Sequence, residues 1–81
     1  MDTEAVVTNI IENVIGVRGV GRDARFLDIG GNSLNLGAVL TQIHNKTGVA
    51  LPARLFFDKS DSTIAAITAK IDSQLQESQV A

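Results

Sequence analysis

Apolar residues recur at intervals of three and four in three separate stretches of this chain, and nowhere do they alternate for long with polar ones. That period belongs to one face of an α-helix, not to a half-buried strand. Val6, Val7, Ile10, Ile11, Val14 and Ile15 form the first face. Leu36, Val39, Leu40 and Ile43 form the second, with Leu34 close to it, and Ile64, Ile67, Ile71 and Leu75 form the last. Local signals bound these stretches. Glu4 falls in the first turn of the first helix, where it complements the helix dipole, and Asp2 or Thr3 is placed to cap the free N–H groups. Gly16 and Gly48 follow the first two patterns as terminators. After Gly48, "VALP" reads as an extended link, because Pro52 restricts the residue before it. Leu55, Phe56 and Phe57 predict a short, mostly buried helical turn, and "DKSDST" supplies N-cap candidates for the last helix. The expected helices are about 3–15, 33–47, 53–58 and 62–75, within a single domain over 1–81, with the tail "QESQVA" frayed. The fold class is all-α: a small helical bundle of three main helices and one short helix, with a long first loop.

Composition narrows what such a bundle can do. Its 81 residues make one small domain, and a 44% apolar content can fill its core. The three aromatics are all Phe, so that core must be mostly Ile, Val, Leu and Ala. There is no cysteine and one histidine, His44, which excludes disulfides and leaves a poor inventory for a metal. A net charge of −2 argues against nucleic acid as a partner. No run of about 18 apolar residues predicts a membrane span. The N-terminal "MDTEAVV" lacks the basic and then apolar order of a signal peptide. A soluble, cytoplasmic monomer is expected, and Met1 with the short tail favours a free-standing protein.

Between the first two patterns, "GVRGVGRDARFLDIGGN" has no period. A connection this long in so small a domain is uncommon and usually functional. Phe26 and Ile29 are expected to pin it to the core. It runs into "DIGGNSLNLG", where Ser33 stands at the start of the second helix. Three roles compete for that serine. It can be a helix N-cap, the commonest role for a serine before a helical run, although Asn32 can take the cap and leave Ser33 free in the first turn. It can be a nucleophile, but the only histidine lies eleven residues on, about 16 Å along one helix, and the G-x-S-x-G elbow is absent. It can be an attachment point, since a phosphodiester at a helix N-terminus gains about 0.3–1 kcal/mol from the dipole, and glycines let an enzyme approach without meeting a Cβ. A phosphate-cradling loop is disfavoured because G-x-x-x-x-G-K-[ST] is missing.

The stretch "FLDIGGNSLNLGAVLTQIHNKTGVALPARLFF" resembles the carrier proteins of fatty acid, polyketide and nonribosomal peptide synthesis. Phe26, Asp28, Gly30, Gly31, Ser33 and Leu34 are similar to that family's F-x-[DE]-x-G-G-x-S-[LI] site, and Gly48, Val49, Leu51, Pro52 and the Leu-Phe that follows to its downstream segment. The resemblance covers about residues 23–71. It implies that Ser33 carries a covalent 4'-phosphopantetheine arm, transferred from coenzyme A by a phosphopantetheinyl transferase. The arm's thiol then bears acyl or aminoacyl groups as thioesters, so a chain without cysteine still presents sulfur. The implied partners are that transferase, acyl- or aminoacyl-loading enzymes and downstream synthase enzymes, while the carrier itself is not an enzyme and has no catalytic or metal residues. The rival reading is an unmodified helical protein–protein interaction module in which Ser33 only caps. Asn32-Ser33-Leu34 after two glycines, and a second helix with no Asp or Glu, look more like peptidyl or modular polyketide carriers than fatty-acid carriers. "SDST" replaces the family's usual Pro-Thr before the last helix. The expected docking surface is Leu34, Asn35, Gly37, Ala38 and Arg54, and Arg18, Arg22 and Arg25 are candidates to meet an acidic partner.

Overall fold

The computed structural model describes residues 2–80, with side chains through residue 77. Its α-helices are α1 (Thr3–Ile15), α2 (Ser33–Thr47) and α3 (Ile64–Val80). Each of the two connections contains a 3-10 turn, Leu27–Ile29 in the first and Ala53–Phe57 in the second. Among the described residues there is no strand, only an isolated bridge between Arg25 and Thr63. The architecture is all-α.

Several expectations are corrected. The first loop contains a helical turn at Leu27–Ile29 that no periodicity announced, because a 3-10 turn is shorter than the pattern that would reveal it. The short helix stops at Phe57, one residue early, and Phe57 is 44% exposed while Leu55 and Phe56 are buried. The last helix begins at Ile64 rather than 62, because the Thr63 hydroxyl oxygen accepts from the Ala66 N–H at 3.1 Å and so takes the cap. It continues to Val80, past the expected end at 75, so the segment expected to fray is helical as far as it is described. Ala81 lies outside the described residues.

The first helix packs against both others. Val7, Ile10 and Ile11 of α1 meet Leu36, Val39 and Ile43 of α2 and Ile64, Ile67 and Ile71 of α3, all buried. Two rings close the core. Phe26 from the first loop and Phe56 from the second 3-10 turn are both fully buried, edge to face, with centroids 5.2 Å apart. Ile29 is half-buried against the same cluster. Asp2 caps α1 through the Ala5 N–H. Thr3, the other cap candidate, is buried instead, and its hydroxyl donates to Asp72 on α3 at 2.6 Å.

The long loop is tied down by the start of α3. The first N–H groups of any helix lack intrahelical partners. Here Ile64 donates to the Ala24 carbonyl and Ala65 to the Arg22 carbonyl, while Phe26 donates back to Ser62. Glu12 accepts from the Val20 N–H at 3.0 Å and holds the loop's other limb to α1. With both limbs fixed, the end of the loop delivers the chain to the first turn of α2.

Candidate functional site

That first turn is built by Gly30, Gly31, Asn32 and Asn35. Gly30 has φ +103, a left-handed conformation that L side chains rarely adopt. Gly31 donates to the Phe26 carbonyl at 2.8 Å, and a Cβ there would fall 2.5 Å from both that oxygen and the Phe26 ring. The glycine pair therefore folds the loop tightly over Phe26. The expectation that these glycines lie open to an approaching enzyme is corrected at Gly31, which is buried beneath that ring.

Asn32 is extended and caps α2. Its side-chain oxygen accepts from the N–H groups of Leu34 at 2.9 Å and Asn35 at 3.0 Å. Asn35 reciprocates, its side-chain oxygen accepting from the Asn32 N–H at 2.9 Å, while its amide nitrogen donates to the Gly30 carbonyl at 3.4 Å. This is a capping box with two asparagines. Asn35 was expected only as a docking residue. The N-x-x-N spacing, a variant of the S/T-x-x-E pattern, was the available signal for its capping role.

With the cap taken, Ser33 is left over. It is the first residue of α2 and exposed, and among the described residues nothing bonds its hydroxyl or accepts from its N–H. Ser33 as N-cap, the basis of the interaction-module reading, is overturned by Asn32. His44 is exposed far along the same helix and does not pair with Ser33. The residues fit a phosphodiester: the hydroxyl is open to solvent, the N–H beside it is unpaired, and both stand at the positive end of the helix dipole.

Beside the serine α2 presents an exposed apolar side chain. Leu34 is 92% exposed, not near the core face, because two steps of about 100° separate it from Leu36 and carry it across the helix. Gly37, Ala38 and Arg54 are also exposed, and Leu27, just upstream, is 48% exposed. The loop arginines are engaged within the chain at exposed positions. Arg22 pairs with Glu4 at 3.4 Å, Arg25 reaches Asp28 at 4.0 Å, and Arg18 donates to Asn13 and to the Val17 carbonyl. Gly37 sits inside α2, where glycine costs about 1 kcal/mol relative to alanine. Farther along, Leu40, Thr41, His44, Ala50 and Leu51 line an open groove of about 350 Å³. Among the described residues no helix is long and apolar enough to cross a membrane.

Comparison with known proteins bears on this site. The family described as "Phosphopantetheine attachment site" matches residues 5–71. Tyrocidine synthase 3 of Brevibacillus parabrevis is 39% identical over 56 residues, 69% of this chain. Surfactin synthase subunit 1 of Bacillus subtilis (strain 168) is 32% identical over 71 residues, 88% of this chain. The chain spans only 1% and 2% of the lengths of those two relatives. Two solved structures share the fold. A complex of the phosphopantetheine transferase Sfp with coenzyme A and a peptidyl carrier protein matches with TM-score 0.80 and 34% identity, covering 88% of this chain and 90% of the matched one. An active-site mutant peptidyl carrier protein in solution matches with TM-score 0.81 and 33% identity, covering 90% of this chain and 79% of the other. The open hydroxyl, the capped turn that presents it and a family match over most of the helical core lead to one conclusion: this chain is a carrier domain belonging to the phosphopantetheine attachment site family.

Proposed function

We propose that Ser33 is the attachment residue and that the domain carries aminoacyl or peptidyl groups for a nonribosomal peptide synthetase. The observation that supports this most is the division of labour at the turn, where Asn32 and Asn35 satisfy the helix N-terminus and leave the Ser33 hydroxyl unbonded and exposed. In the modification step Ser33 gives up its hydroxyl proton to a base of the transferase. Its oxygen bonds to phosphorus while the pyrophosphate P–O bond of coenzyme A breaks, and adenosine 3',5'-bisphosphate leaves. A phosphodiester on Ser33 would stand beside the unpaired Ser33 N–H, and the dipole of α2 would favour its charge. When bound, the arm supplies the thiol that bears the thioester. The domain positions and presents it, and partner enzymes do the chemistry. This work belongs in the cytoplasm, where coenzyme A and activated amino acids are available.

Peptidyl cargo is favoured over fatty acyl cargo by the likeness to tyrocidine and surfactin synthases and by an α2 with no Asp or Glu to present to basic partners. Incubation with coenzyme A and a broad-specificity transferase is expected to add about 340 Da to the chain and nothing to Ser33→Ala. The same adduct on Ser33→Ala would sink the assignment. Loading the modified protein with activated amino acids against malonyl groups, with candidate partner enzymes present, decides the cargo.

A further inference from the structure

Asn35 is bonded across Ser33 to the chain that precedes it. Its side-chain oxygen accepts from the Asn32 N–H at 2.9 Å, its side-chain amide donates to the Gly30 carbonyl at 3.4 Å, and its own N–H donates to the Asn32 side chain at 3.0 Å. The buried core does not need this residue, since the first turn of α2 contributes Leu36 to it and not Asn35. What the bonds of Asn35 fix is a choice between two starts of α2. Asn and Ser are similarly good N-caps, and here they stand side by side. In the observed start Asn32 is extended and caps, Ser33 is the first helical residue, and the Leu36 N–H donates to the Asn32 carbonyl at 3.0 Å. In a start one residue later Ser33 would be the extended residue, and its hydroxyl oxygen would turn back to accept from the N–H of Asn35 or Leu36. That start gives up the Leu36 bond. It also has no capping box, because the residue three positions beyond Ser33 is the buried, apolar Leu36. The side chain of Asn35 therefore supports the observed start alone.

We propose that Asn35 is a positioning residue for the attachment step: it holds α2 in the register that keeps the Ser33 hydroxyl unbonded. The proposal rests on the reading of Ser33 given above. The two registers differ at the reacting atom. As the first helical residue, Ser33 has an exposed hydroxyl that nothing bonds among the described residues, so its oxygen is free to reach phosphorus. As the cap, the same oxygen would accept from backbone N–H groups at the positive end of the helix, which draws electron density from the nucleophile and turns it toward the helix axis. Asn35 acts through Asn32 rather than on the phosphate, and its kinetic signature follows from that. A transferase that holds both registers equally well modifies only the competent one, so kcat falls with the competent fraction while KM for the carrier stays constant. A residue that served only to dock the transferase would do the reverse, raising KM at constant kcat.

The test reads the register and the rate separately, on the unmodified chain with coenzyme A and a broad-specificity transferase. The α- and β-carbon chemical shifts of Ser33 report whether it is helical or extended, and in the wild type they should be helical. Asn35→Ala leaves two caps of similar strength, so about half of the molecules should move to the Ser33 cap, and kcat should fall about twofold at constant KM. In Asn32→Ala/Asn35→Ala the serine is the one good cap left at this end. Its shifts should become mainly extended, and kcat should fall about fivefold. Asn35→Gln can still close the box and should restore both the helical shifts and the rate. Ser33 shifts that stay helical or become those of an unstructured end in the double variant would overturn the proposal. So would a rise in KM at constant kcat in Asn35→Ala, or Asn35→Gln as slow as Asn35→Ala. Absence of any mass gain on the wild type would overturn the Ser33 reading instead.

Discussion

Two neighbouring polar residues have opposite roles at the start of α2. Asn32 is tied to the helix and Ser33 is not, so their alanine variants should separate. Asn32→Ala removes the acceptor for two N–H groups and is expected to cost about 1 kcal/mol, read from a urea melt. Ser33→Ala removes no bond and adds a good helix former, so its stability should stay within about 0.5 kcal/mol while phosphopantetheine incorporation disappears. A large loss of stability in Ser33→Ala would show the serine to be structural after all. Leu34 offers a similar contrast. At 92% exposure it holds nothing in place, and an aspartate there would sit at the favourable end of the dipole. Leu34→Asp should therefore fold as well as the wild type yet be modified more slowly by a transferase. Equal rates would remove Leu34 from the docking surface. The sequence offered both Asn32 and Ser33 as caps, and propensity alone could not choose between them. The choice came from Asn35, whose side chain completes a box only with Asn32.

The helices were legible because each has a buried stripe long enough to repeat, and the residues that carry those stripes are the ones the core holds. The connections were less so. The turn at Leu27–Ile29 is three residues, too short for a period to show, and the loop that leads into it is held by bonds to the start of α3. Phe26 is the anchor of that loop, and it is fully buried against Phe56 and the bare face of Gly31. Phe26→Ala should cost about 3–5 kcal/mol in a denaturant melt, as for a large ring removed from a core. Gly31→Ala should cost about 1–3 kcal/mol by overpacking, because the atoms in its way are a ring and a backbone oxygen rather than a flexible side-chain end. If Gly31→Ala were neutral, the close approach of loop and ring would not be what fixes the turn before Ser33.

The bundle leaves little margin. At roughly 0.05–0.15 kcal/mol per residue, a chain of 81 residues has about 4–12 kcal/mol in hand. The central helix, α1, touches both others, and Ile11 is fully buried within it. Ile11→Ala should remove about 2–5 kcal/mol, a large part of that total, and lower the urea midpoint without changing the slope. So small a core leaves little stability to spend on a deep internal site. That limit suits a carrier, which needs one open attachment point and surfaces for others to hold.

From the sequence alone came the three amphipathic helices, their buried stripes and the resemblance that singled out Ser33, since period and motif are local properties of the chain. Tertiary structure decided that Leu34 faces water and that the loop is anchored on α3. Each of these depends on contacts between segments far apart in sequence or on the rotation of a helix against its core, which no local pattern records.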